Sequence, residues 1–578
     1  MNHRSLENHT IITFEIYFYS MFRTHRLLLA LFFIVISSGS ARAFNHADSL
    51  RGSNGRGRAW WDVQKYDLDI NIDTATRKIK GHNTITFKVI STPVDSFQID
   101  LQEPLIIKEA STAGDNNTPK NDVKNWEMIM LKSAKEGNVW WIKGDFHKWK
   151  VGSTHVIFIA YEGAPHEAVR PPWDGGFTWT HDSLGNLWAS VSCQGMGASV
   201  WWPCKDAQWD EPDSGMNINI RSTSNAMVVS NGKRQPSLPH SSGSEYMWHV
   251  ANPINNYDAT FYLGNYAHWH DTLMGEKGIL DLDFYPLAYH EGQARKHFAM
   301  VKDMIHCFEY WMGPYPFYED GYKLVEAPYL GMEHQSAVAY GNNYLMGYKG
   351  RDRSGTGIGM NYDFIIVHES GHEWFGNNIT AKDIADMWIQ EGLTSYSESL
   401  YAEWLLGKEK GMEYNRGGWS NIKNDKNIIG EYGVNDEGSG DMYNKGAAII
   451  HMIRVMLNDD EKFRKMLRGL GKEFYHQTVT TAQVEDYIIY NTNLSLKPFF
   501  NQYLRTKMEP ELEYYVNNDS FHYRFTNILP DFTMPVKVSG GGKEYIFTLT
   551  GDWQSAPFIS KGAPEISKDF LITLKKSN

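Results

Sequence analysis

His368, Glu369 and His372 form an H-E-x-x-H signature, and Glu391 follows after eighteen intervening residues inside Trp388-Ile389-Gln390-Glu391-Gly392. This pattern constrains the fold more than any other stretch of the chain. On a helix, positions i and i+4 share a face, with Cβ atoms ~5–6 Å apart. Two imidazoles so placed can share one ion if a second segment delivers the carboxylate. Three protein ligands leave the fourth position of a tetrahedral zinc open for water. Zinc lowers the pKa of that water from ~15.7 toward ~7. Glu369, beside the first histidine, can take the proton as water attacks a carbonyl.

H-E-x-x-H also arises by chance, and a His pair on an amphipathic helix is more often structural than metal-binding. The flanks decide. Phe364, Ile365, Ile366 and Val367 precede the motif and place it on a buried helix. Glu391 lies in a second helix-like run, Met387 to Leu406, where Leu393, Tyr396, Leu400 and Trp404 recur at helical spacing. A metzincin site is excluded, because Phe375 and Asn378 stand where that pattern needs Gly and His.

The chain has 578 residues, 42% of them hydrophobic and 21% charged, which is too long for one domain and too apolar for disorder. A net charge of −12 with no large basic block argues against a nucleic-acid partner. Arg23, His25 and Arg26 precede a ten-residue apolar run, Leu27 to Ile36, too short for a membrane span. Ser40-Ala41-Arg42-Ala43 then offers a cleavage site, so residues 1–43 read as a signal peptide. Translation starting at Met21 would keep all of it. No Cys follows the cleavage site, which argues against a lipid anchor, and no later segment resembles a membrane helix. The expectation is an exported protein, periplasmic or secreted, without stable membrane insertion.

Cys193, Cys204 and Cys307 are too few for a disulfide scaffold. Spacing allows a Cys193–Cys204 bridge and equally allows buried free thiols. Residues 56–270 read as β-rich: Tyr66, Leu68, Ile70 and Ile72 alternate with polar residues, as do Ile85, Phe87 and Val89. From His290 the period changes. Ala294, Phe298, Val301, Ile305, Phe308 and Met312 mark one amphipathic helix, stopped by Gly313-Pro314. Helical patterning then runs to about residue 506. The tail is β-like, with Val536 and Val538, then Tyr545, Phe547 and Leu549, and a last strand through Phe570, Ile572 and Leu574. Gly355 to Gly359 lacks the Lys-Ser/Thr of a phosphate loop and reads as a flexible connection.

Hydrolysis of a peptide bond also needs an oxyanion donor and something to hold the substrate. Three segments are candidates: Gly331-Met332-Glu333-His334, Asp441 to Gly446, and Cys193-Gln194-Gly195. Taken alone, Glu333 reads as a solvated carboxylate, Gln194 as a strand residue and Tyr443 as a packing aromatic.

Together these segments resemble the gluzincin aminopeptidases of the aminopeptidase N and leukotriene hydrolase family. His368 to Asn377 is similar to that family's metal helix, and Trp388-Ile389-Gln390-Glu391-Gly392 to its W-L-N-E-G. Gly331-Met332-Glu333 matches its G-x-M-E-N loop in part, and Tyr443-Asn444-Lys445-Gly446 its Y-x-K-G. The resemblance implies one zinc on His368, His372 and Glu391, with Glu369 as general base and Tyr443 on the oxyanion. It also implies that Glu333 binds the substrate's free α-amino group, with Gln194 as a second amine contact and Gly331 and Met332 along the substrate.

The implied architecture is α+β and multidomain. It comprises an N-terminal β saddle (56–270), a thermolysin-like α/β catalytic domain (271–506) and a small C-terminal β-sandwich (507–578). Most members add a helical domain that this chain ends without. Leu330 and His334 depart from the family's loop, and His334 reads as a plain loop histidine. The expected activity is removal of N-terminal residues from peptides. The alternatives are an endopeptidase on the same chemistry and a catalytically silent peptide-binding member. Gln194 raises epoxide hydrolysis as a further option.

Overall fold

The computed structural model describes residues 44–113, 128–236, 243–517, 520–540, 542–558 and 563–577. The expected signal peptide lies outside them. Among the described residues, no helix is long and apolar enough to cross a membrane.

The N-terminal part is built from β-sheets. Strands Trp61–Asp73 and Lys78–Val89 pair antiparallel within an eight-stranded sheet, and Met216–Ser222 runs parallel to the first. Tyr66, Leu68, Ile70 and Ile72 are all buried, as period-two alternation requires of a sheet with one covered face. A four-stranded sheet includes Leu187–Ser192, flanked by Gly176–His181 and Phe261–Gly264. That strand ends two residues before Gln194 and so aims it out of the sheet. Cys193, Cys204 and Cys307 are separate, buried thiols.

The next sheet has five strands in the order Trp269–Gly275, Gly278–Tyr285, Tyr322–Glu326, Val338–Tyr340 and Gly331–Met332. The first of these strands straddles residue 271, so the catalytic sheet begins at Trp269. Gly331–Met332 is its edge, antiparallel to Val338–Tyr340. The single helix expected from His290 is two, Glu291–His297 and Met300–Met312. The break at Phe298–Ala299 leaves all six of its apolar positions buried. Gly313, at φ 97°, stops the second helix in a backbone region that L-residues avoid. Asp352 accepts hydrogen bonds from the amides of Ser354 and Gly357, so the Gly355–Gly359 stretch is a built turn rather than a loose connection.

The C-terminal part pairs Glu511–Asn517 with Ser520–Thr526, and Met534–Gly540 with Lys543–Leu549. The expected last strand is misplaced. The strand is Thr573–Lys576, parallel to Glu511–Asn517, and its Leu574 is 53% exposed. Phe570 and Leu571 are buried before it begins, where the chain turns into the core and the Leu571 carbonyl accepts from the Tyr503 hydroxyl.

Three helices meet where the motifs lie: Phe364–Gly371, Trp388–Leu406 and Asn444–Leu457. Their crossings are made by glycines. A Cβ on Gly446 would stand 2.7 Å from the Cα of Gly392, and one on Gly371 would stand 2.5 Å from the Ser397 hydroxyl. Backbone against backbone at Gly392 and Gly446 brings Glu391, next to the first, and Tyr443, three residues before the second, to one point. Gly446→Ala is expected to force the helices apart and cost ~1–3 kcal/mol, as overpacking does. Denaturant unfolding checks this, and an unchanged midpoint would contradict the close approach.

Candidate metal centre

Asp363 caps the motif helix, its carboxylate accepting from the amides of Ile365 (2.9 Å) and Ile366 (3.4 Å). Tyr340, Asn342 and His297 hold the same carboxylate, so the start of the helix is pinned from three sides. Its end is irregular. Past His372, Phe375 and Gly376 leave helical geometry, Gly376 at φ 132°, and the Phe375 carbonyl turns back onto His372 Nδ1 at 2.9 Å. His368 Nδ1 lies 2.8 Å from Glu398 Oε1, and the other oxygen of Glu398 accepts from the Tyr414 hydroxyl. With each Nδ1 engaged in this way, the Nε2 atoms are free to bind a metal.

Both Nε2 atoms face one oxygen. Glu391 Oε2 lies 3.5 Å from His368 Nε2 and 3.2 Å from His372 Nε2, and it receives no hydrogen bond although it is buried. Glu391 Oε1 is saturated by the Tyr443 hydroxyl (3.0 Å) and the Gln194 amide (3.2 Å). An orphaned buried carboxylate oxygen facing two imidazole nitrogens fits a divalent cation of the transition series.

Glu369 is buried beside this group, under the edge strand, where a Cβ on Gly331 would stand 2.7 Å from its carboxylate. Burial pushes its carboxyl up to about 7. Glu333 is also buried, and its Oε1 accepts from Gln194 (2.7 Å) and from the Tyr257 hydroxyl (3.3 Å). Burial raises the Glu333 carboxyl too. Burial and then Glu391 push the Tyr443 phenol well up, so it stays a donor at neutral pH. Glu333, Gln194, Gly331, Met332 and Tyr443 line one cavity of about 390 Å³ with the histidines, Glu369 and Glu391. The structure thus brings every candidate residue to one place.

His334 is not a plain loop histidine. It is fully buried, pairs through Nδ1 with the Tyr262 hydroxyl at 2.7 Å, and is pushed down by burial to about 3. It therefore stays neutral. Met332 lines the cavity and also packs into the core of the N-terminal sheets. Sequence reasoning missed Tyr257, which joins Glu333 to Gln390. It also missed Glu398, which stands seven residues after Glu391, two turns along the same helix face.

Residues 297–503 match the model of the peptidase family M1 domain. Over that stretch the chain is similar to peptidases of the M1 family. Leukotriene A-4 hydrolase of Xenopus laevis is 26% identical over 232 residues, 38% of this chain and 34% of the relative. Endoplasmic reticulum aminopeptidase 1 of Rattus norvegicus is 22% identical over 479 residues, 78% of this chain and 49% of the relative. The chain thus spans a third to a half of the length of these relatives. A solved two-domain M1 zinc metallopeptidase bound to L-tryptophan superposes with a TM-score of 0.62 at 18% identity, covering 75% of this chain and 92% of that one. An M1 zinc metallopeptidase from Deinococcus radiodurans gives 0.62 at 17%, over 78% and 95%. These show a shared α+β fold.

Glu398 is not among the residues lining the cavity, yet it orients His368. Glu398→Ala is expected to weaken metal affinity ~10–100-fold, as losing such a partner does. Competition with a chelator measures it. Unaltered affinity would mean that His368 is held by its ring packing alone.

Proposed function

We propose that this chain is a zinc-dependent aminopeptidase. The observation that carries the reading is the buried pair Glu333 and Gln194, set against the Glu391 carboxylate whose free oxygen faces His368 and His372. Glu333 is buried with only neutral donors on its carboxylate, and a buried carboxylate is costly unless a positive charge answers it. A substrate's N-terminal ammonium fits that place. A blocked or internal peptide segment carries no charge to match it.

His368 Nε2, His372 Nε2 and Glu391 would hold the zinc. Zinc there supplies Lewis acidity and brings water toward ionisation at neutral pH. Glu369 takes the proton as water attacks the scissile carbonyl, then passes it to the leaving amine. Its raised carboxyl suits both halves of that task. Glu333 fixes the ammonium by a charge-assisted hydrogen bond, with Gln194 beside it. Tyr443 places a hydroxyl donor where negative charge develops on the carbonyl oxygen. The Gly331–Met332 edge strand offers backbone groups along which an extended substrate can pair.

A panel of aminoacyl coumarin amides, free and N-acetylated, tests the reading. The free-amine substrates should be cleaved and the acetylated ones resist. Glu369→Gln should lose ~10²–10⁴-fold in turnover, the usual cost of a missing general base. Rapid internal cleavage of blocked peptides would replace the aminopeptidase reading with an endopeptidase one. Glu369→Gln activity within a few-fold of wild type would mean that another group takes the proton.

A further inference from the structure

The cavity has a second charged end. Trp173, Tyr348, Arg353 and Phe364 line it together with the metal-ligand residues. Arg353 Cζ lies 5.1 Å from the Tyr348 ring and 5.0 Å from the Phe364 ring. Phe364 in turn stacks on His368 at 5.3 Å and 13°. Further out, Lys349 Nζ lies 5.3 Å from the Trp173 ring and 5.6 Å from Tyr348. Lys349, Tyr348, Arg353 and Phe364 therefore alternate cation and ring within cation–π range, and Phe364 stacks on His368.

Among the described residues, no carboxylate pairs with Arg353 or Lys349, and the Arg353 guanidinium donates no hydrogen bond. In a chain of net charge −12, an arginine without a carboxylate partner in the cavity wall, with a lysine close behind it, is a concentrated feature. Arg353 is held by two ring faces, which leaves the edge of its planar fork free for a bidentate acceptor. Among the described residues only these ring faces, and no carboxylate, meet its charge.

The two ends neighbour different residues of the site. Glu333 groups with His372 and Glu391. Arg353 reaches the site through Phe364 and His368. Two steps of 5.0 and 5.3 Å put the guanidinium no more than about 10 Å from the His368 ring. An extended chain advances ~3.3–3.6 Å per residue, so a group one to three residues past the scissile bond is within its range.

Building on the aminopeptidase reading, we propose that Arg353 binds a substrate carboxylate on the leaving-group side of the scissile bond. The carboxylate comes either from the C-terminus of a short peptide or from an acidic side chain just past the cleaved bond. Glu333 and Arg353 then act as opposite poles, with the ammonium at one and the carboxylate at the other, and the reacting carbonyl between them. Lys349, stacked on Trp173, adds attraction at the entrance without a fixed contact.

The experiment compares kcat/KM for trialanine with that for trialanine amide, and for Ala-Glu-Ala amide with that for Ala-Gln-Ala amide, in wild type, Arg353→Gln and Arg353→Lys. Wild type should favour the carboxylate of at least one pair by about ten- to a hundredfold, mainly through KM, the scale of a charge-assisted hydrogen bond. Arg353→Gln should bring that ratio toward parity, and Arg353→Lys should keep part of it because the charge remains. A preference in the first pair identifies the chain terminus as the source, and one in the second identifies the side chain. Parity in both pairs for wild type, or a ratio that survives Arg353→Gln, would overturn the proposal. Aminoacyl coumarin amides carry no carboxylate, so their cleavage by wild type keeps the aminopeptidase reading separate from this result. If Arg353→Gln fails to fold, the wild-type ratios and the lysine variant still decide.

Discussion

The site depends on the burial of one carboxylate. Glu391 is 2% exposed, and removing an ionised carboxylate from water costs several kcal/mol unless its oxygens are engaged. Tyr443 and Gln194 satisfy one oxygen. The other has only the two imidazole edges. Much of the surrounding architecture serves this arrangement. Glu398 and the Phe375 carbonyl turn the rings, the break at Gly376 supplies that carbonyl, and the glycine contact between helices delivers Tyr443. The N-terminal sheets contribute Gln194 and Tyr257, so the centre is assembled across parts of the chain far apart in sequence.

The cavity's charges are ordered as well as dense. Glu333 and Glu369 lie buried near His368, His372 and Glu391, while Arg353 lies among the aromatic rings with Lys349 behind it. A neutral cavity could bind a peptide through its backbone alone. Opposed poles instead select for charge at defined places along a short chain, and they orient it in one direction across the reacting carbonyl. Preorganised charge of this kind lowers the ordering cost of binding.

The helices bearing the metal motif and Glu391 were legible in the sequence, because an unbroken apolar run leads into the first and apolar residues recur at helical spacing in the second. The break at Phe298–Ala299 was not, since the apolar positions stay buried through it and the pattern carries no sign of a kink. Glu398 left a signal, a carboxylate two turns from a ligand. Tyr257 left none: it meets Glu333 across 76 residues, and its neighbours announce only packing. The final strand misled because Phe570, Ile572 and Leu574 mimic period-two alternation while the chain is still turning into the core. His334 reads as a loop residue until the fold buries it against Tyr262. The Arg353 ladder was equally invisible, because its rings and cations come together only in three dimensions.

Anomalous scattering at the zinc edge, from crystals of the purified chain, tests the central claim most directly. The account predicts one peak per chain, within bonding distance of His368 Nε2, His372 Nε2 and a Glu391 oxygen, about 2.0–2.2 Å from each. A fully ordered site with no peak there, or a metal held by Glu333 in place of Glu391, would contradict it.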